Sequence, residues 1–168
     1  MTILAAVDGE RVPDPVVEVG HDLAQQYETD FVVVHVMDQS IFEKRRDQTS
    51  DAPGLTEFAS GIGYEETTST PSGSDRHTYT IEDAEHDASR VAGDVVDGTI
   101  ERRRDVTLQG RVGDTLDEIL GEADRRDAEF VVVGGRKRSP TGKALFGSVT
   151  QSILLNADRP VVSILHDE

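Results

Sequence analysis

"FVVVHVMD", residues 31–38, is an almost continuous apolar run of the length of one strand. A run without polar alternation suits a strand covered on both faces, the situation of a parallel sheet. Upstream, "TILAAVD", residues 2–8, reads as a second buried strand. Between the two, "PDPVVEVGHDLAQQYETD" sets Val16, Val19, Leu23, Ala24 and Tyr27 on one helical face. Asp14 followed by Pro15 supplies an N-cap and a first helical residue. The chain therefore opens as strand, helix, strand.

The same alternation returns further on. A helix over Ile81–Arg104 carries Ile81, Ala84, Ala88, Val91, Ala92, Val95, Thr99 and Ile100 on one stripe, and Arg102, Arg103 and Arg104 form a solvated charge run at its end. "DVTLQGRV" reads as a strand and "DTLDEILGEADRRD" as a helix, with Asp114 as cap and Asp117 at the third position, a weaker form of the capping box. A strand "EFVVVGG", a short helix "GSVTQSILLNA" and a strand "PVVSIL" complete the chain. This order predicts an α/β fold, a single domain over residues 1–168 built on an open five-stranded parallel sheet with helices on both faces. Residues 38–80 interrupt it. Of these 43 residues, 19 are Ser, Thr, Gly or Pro, which predicts a long polar insertion anchored by Ile41, Phe42, Leu55, Phe58, Ile62 and Tyr64.

The composition narrows the function. The chain of 168 residues carries a formal net charge of -16; 19 of its 33 acids are Asp, and only 3 of its 17 bases are Lys. An Asp-rich, Lys-poor surface suits a protein kept hydrated in concentrated salt, as in a halophilic archaeon, with an acidic mesophilic protein as the alternative. Such a charge argues against broad contact with nucleic acid or an anionic membrane, because phosphate neutralisation needs a basic face. The absence of cysteine excludes disulfides and thiolate chemistry. Asp8 comes too early for a signal peptide, and no apolar run reaches membrane-spanning length, so a soluble cytoplasmic protein is expected.

One segment breaks the acidic pattern. Between Phe130 and Ala157 there is no acid, while Arg136, Lys137, Arg138 and Lys143 add four positive charges. Set aside, they leave -20 for the remainder of the -16 chain. The segment starts at the carboxyl end of a strand, where ligand crevices of open α/β sheets lie. Gly134 and Gly135 permit close backbone approach, and Gly147-Ser148 opens a helix whose amides and dipole favour a phosphate. An anion cradle and a plain glycine-rich surface loop both fit these features. A P-loop does not, since Lys137 and Ala144 stand where Gly and Ser or Thr are needed. No G-x-G-x-x-G follows the first strand, which ends "VDGE".

Together, "VVVGG", the basic loop and "GSVTQSILLNADRPVVSIL" resemble the carboxyl-terminal signature of the universal stress protein family, G-x2-G-x9-G-[ST]. "ILAAVDGE" with "FVVVHVMD" is similar to its first two strands, and the resemblance covers everything except residues 38–80. It implies an adenine nucleotide alpha hydrolase-like, Rossmann-like sheet of order 3-2-1-4-5, and an adenine-nucleotide-binding regulatory module of the stress response. The implied ligand is ATP or AMP, with magnesium. By the same resemblance Asp8 meets the nucleoside, Ala6 and Val7 line its pocket, Val36 packs on adenine, Gly134, Gly147 and Ser148 wrap the phosphates with Val149 and Thr150 alongside, and Val133 belongs to the binding set. The chain departs at one position, reading G-x2-K-x9-G-S, so Lys137 replaces the second signature glycine. A side chain there either displaces the loop or meets phosphate as a point charge.

The alternative is a nucleotide-independent interaction module that recruits an unidentified protein partner. Turnover chemistry finds no support: no nucleophile elbow or general base is visible, and slow ATP hydrolysis is the most to be expected. Asp8, Gly9 and Glu10 lack the further acids and lysine of a phosphoryl-accepting receiver. His35 reads as a hydrogen-bonded core histidine, and His77 and His86 near Glu82 and Glu85 fix no metal geometry. A flavoprotein of similar topology is disfavoured by the absence of Trp. The uncharged last strand, "PVVSIL", predicts a homodimer joined through that edge, as in dimeric universal stress proteins.

Overall fold

The protein is described by a computed structural model over residues 1–50, 78–101, 105–136 and 146–166. Among these residues stand five strands, β1 (Thr2–Ala6), β2 (Asp30–Asp38), β3 (Val106–Gly113), β4 (Ala128–Arg136) and β5 (Val161–His166). All neighbours run parallel, in the order β3-β2-β1-β4-β5. Five helices connect or flank them: α1 (Pro15–Tyr27), α2 (Gln39–Ser50), α3 (Ile81–Asp97), α4 (Thr115–Arg125) and α5 (Ser148–Asn156). The strand order is the expected one.

Strand pleating sorts the apolar runs onto two faces. Ile3, Ala5, Phe31, Val33 and Val132 pack against Val16, Val17 and Ala24 of α1 and Ala92, Val95 and Val96 of α3. On the other face, Leu4, Val32, Val34, Val131 and Val133 meet Ile119 and Ala123 of α4 and Ile153 of α5. The central strands are thus covered twice, which is why they carry no polar alternation.

Helix starts follow the sequence signals. The Asp14 carboxylate accepts from the Val16 amide at 2.9 Å, with Pro15 in the first turn, and Asp114 accepts from the Asp117 amide at 3.1 Å. At α3 the structure adds an unforeseen capping box, in which Thr80 and Asp83 exchange side-chain and backbone bonds. The helix ends at Asp97, earlier than expected, and Arg102–Arg104 lie outside the described residues. On α1 the buried face turns toward Val17 and Gly20, leaving Tyr27 half-exposed.

The polar insertion expected from residue 38 begins instead as helix α2. Among its described side chains only Phe42 is buried, in a small cluster with Met37, Ala84 and Ala88. Its outer turns are polar, so periodicity could not reveal it. Residues 51–77, with Leu55, Phe58, Ile62, Tyr64 and His77, lie outside the described residues.

Two devices fix the β3 edge of the sheet. Glu122 of α4 is fully buried and accepts from Arg111 Nη2 of β3 at 2.7 Å, from Arg125 Nε at 2.9 Å and from Arg126 Nε at 2.8 Å. Burial by itself would raise its pKa, but the hydrogen bonds from Arg126, Arg111 and Arg125 outweigh it and hold the carboxyl below its ordinary range. Gly110 of β3 lies so close to α3 that a Cβ would fall 1.8 Å from the Glu85 carbonyl oxygen.

Candidate functional site

The carboxyl ends of β1, β2 and β4 open into a cleft of about 960 Å³. Ala6, Val7, Asp8, Val36, Val133, Gly134, Gly147, Ser148, Val149 and Thr150 all line it. Ten of the eleven residues singled out by sequence are therefore neighbours in space. The eleventh, Lys137, lies outside the described residues, as does Lys143.

Beyond β1 the chain makes a tight turn. Asp8 Oδ1 accepts from the Glu10 amide at 2.9 Å, and Gly9 between them has φ +80. A Cβ on Gly9 would also fall 2.5 Å from Val91 Cγ1, so both backbone and space require glycine. The turn leaves Asp8 exposed at the cleft wall. His35 of β2 lies 2.9 Å through Nδ1 from the Val7 carbonyl. A carbonyl only accepts, so Nδ1 carries the proton and the ring braces β1 against β2, as its apolar setting suggested.

On the opposite wall, α5 begins at Gly147 with φ -58 and ψ 155 and no side-chain cap. These angles are open to any residue. A Cβ on Gly147 would meet nothing within 4 Å, so neither backbone nor packing among the described residues demands glycine. Ser148 and Val149, exposed in the first turn, present its uncapped amides to the cleft. Thr150 is buried and its hydroxyl donates to the Gly134 carbonyl, anchoring this turn on β4.

The third wall was not foreseen. Ile41 and Arg45 of α2 and Asp87 of α3 line the cleft beside Met37 and Asp38. Arg45 Nη1 donates to Asp87 Oδ2 at 2.9 Å and to the Tyr79 hydroxyl at 3.3 Å, and that hydroxyl donates to Asp87 at 2.8 Å. Burial, reinforced by the bond to Asp87, raises the Tyr79 pKa and keeps its proton in place. Hydrogen bonds from the Ser40 hydroxyl and amide lower the pKa of Asp38. Sequence reading assigned Ile41 to the insertion and passed over Arg45, because the cleft wall they share is made by tertiary docking of α2. Among the described residues no group of three or more His, Asp or Glu side chains is placed to hold a metal ion, and no helix is long and apolar enough to cross a membrane.

Comparison with known proteins agrees on one family. The sequence model of the universal stress protein family matches residues 1–164. A universal stress protein of Mycolicibacterium smegmatis is 45% identical over 51 residues, 30% of this chain and 39% of that protein. The chain thus matches well under half the length of this curated relative. A universal stress protein solved in complex with cAMP superposes with a TM-score of 0.56 at 17% identity, covering 98% of this chain and 96% of the other. UspA from Lactobacillus plantarum superposes with a TM-score of 0.52 at 16% identity, covering 98% and 97%. At these identities the two structures speak for the fold alone.

Proposed function

The chain belongs to the universal stress protein family, and from that premise we propose that its cleft binds an adenine nucleotide, ATP or AMP, as a regulatory module of the stress response whose output is binding rather than turnover. The observation that carries this reading is Gly147: glycine at a helix start where neither its own conformation nor the packing among the described residues asks for it, beside amides that no described side chain caps. A phosphate seated there would satisfy those amides and the positive end of the helix dipole, and would fill the space a side chain would occupy. The cAMP bound by a protein of the same fold supports a nucleotide of this class.

In this reading Asp8 keeps its second carboxylate oxygen for a ribose hydroxyl, since Oδ1 is occupied by Glu10. Ala6, Val7, Val36 and Val133 form the apolar walls, and Gly134, Ser148 and Val149 approach the phosphates through backbone. Thr150 serves by bracing, its hydroxyl being spent on Gly134. Lys137 adds a point charge at the signature position. Magnesium supplies charge neutralisation when bound, held mainly by phosphate oxygens, in keeping with how this ion is usually coordinated.

The same reading gives the protein a cytoplasmic setting and a homodimeric form joined through β5. That strand is a sheet edge whose residues Val161–Leu165 are only half-buried, and edges of this kind invite another strand. Mass spectrometry of the natively purified protein tests the nucleotide reading: ATP or AMP should travel with it. A protein that carries neither and ignores added ATP in high salt would favour a nucleotide-independent interaction module.

A further inference from the structure

We propose that Arg45 is a base-reading residue of the cleft, donating to a ring-nitrogen acceptor of the bound purine while Ile41 packs on the ring; this rests on the nucleotide reading above. Phe42, buried with Met37, Ala84 and Ala88, docks α2 on the body. Ile41 and Arg45, one turn apart, then share a helix face and both line the cleft.

The guanidinium is held at one corner only. Nη1 serves both Asp87 and Tyr79, and the Tyr79 ring lies 6.0 Å from the guanidinium carbon. Nε and Nη2 have no partner among the described residues, and the side chain remains 47% exposed. An arginine fixed in this way has lost much of its rotamer freedom before any ligand arrives, and two planar donors remain to recognise an acceptor. Such donors suit the acceptors on a base edge.

Position favours the base over the phosphates. Phosphates at the start of α5 lie beyond β4, whereas α2 follows β2, and β1 stands between those strands. Two strand spacings, roughly 10 Å, therefore separate the two ends of the cleft across the sheet. A nucleotide anchored at Gly147 with its ribose at Asp8 brings its base to α2.

Calorimetry with AMP and with ATP, on the intact chain and on Arg45→Met and Arg45→Lys, decides the matter, with thermal melting as the check on folding. Lysine keeps the charge toward Asp87 but lacks the fork, so it also guards against a methionine variant that misfolds. Both variants should lose about tenfold in affinity, a hydrogen bond's worth, and by the same factor for AMP and ATP. Unchanged affinity in the folded variants would overturn the role of Arg45 and leave the nucleotide reading standing. A loss that grows from AMP to ATP would mean that Arg45 meets phosphate instead and would overturn it equally. Failure of the unaltered protein to bind either nucleotide would overturn the nucleotide reading, and this role with it.

Discussion

The hydroxyl of Thr150 donates to the carbonyl of Gly134, tying the first turn of α5 to the carboxyl end of β4. Sixteen residues separate the pair, and the charged loop of the signature lies between them. One buried contact therefore ties the two walls of the cleft together. Thr150→Val keeps the volume and removes the donor. It should cost on the order of 1 kcal/mol in urea unfolding and weaken nucleotide binding, with Thr150→Ser restoring both. Wild-type stability in the valine variant would show that the contact bears nothing.

Glu122 is the buried centre of three arginines, and removing it takes a charge-assisted bond from each, leaving Arg111 with Glu85, Arg125 with Glu118 and Arg126 with Gln109. Glu122→Ala should destabilise the fold by about 1.5–3 kcal/mol, the arginines left behind being partly exposed and still partnered. The pH dependence follows from its lowered pKa. A carboxylate held below its ordinary value contributes stability fully above that value and loses it as pH falls through the folded one. As pH falls below the ordinary carboxylate range, acid unfolding should therefore be shallower in Glu122→Gln than in the unaltered protein. Parallel acid transitions in the two proteins would contradict this.

The net charge of -16 makes the compact state repel itself in dilute buffer. Screening shortens the Debye length from about 10 Å at 0.1 M to about 3 Å at 1 M salt. The melting temperature should rise across that range in potassium chloride. A flat profile would remove the case for salt adaptation.

The central strands were legible because burial on both faces writes an unbroken apolar run, as in Val32–Val34 and Val131–Val133. Asp14 and Asp114 were legible because capping is a local bond of two or three residues. Helix α2 was not, because one buried residue, Phe42, and a contact to Asp87 forty-two positions away hold it to the body. The site divided along the same line. Residues at strand ends and in the signature, from Ala6 to Thr150, fell into one cleft, whereas Arg45 and Asp87 reach it only after α2 docks on α3.

The β5 edge offers a test of assembly. The Val131 amide donates to the Pro160 carbonyl at 3.1 Å, so by strand alternation Ser163 turns its own amide away from β4. Its hydroxyl is buried without a partner among the described residues, so its loss removes no bond described there. Ser163→Pro therefore alters chiefly the outward edge, where proline is tolerated. Sedimentation should give a dimer for the unaltered chain and a monomer for this variant; a dimer in both would place the contact elsewhere.

Gly147→Asp separates ligand binding from folding most directly. Aspartate is a good N-cap and the space for it is open among the described residues, so the melting temperature should hold or rise, by up to a few tenths of a kcal/mol in stability. The same carboxylate would occupy the amides offered to phosphate and repel it. Calorimetric titration of ATP in molar salt should show binding to the unaltered protein and more than about tenfold weaker binding to the variant. Equal ATP affinity in both proteins, at equal or greater stability of the variant, would contradict the assignment of this helix start as the phosphate cradle.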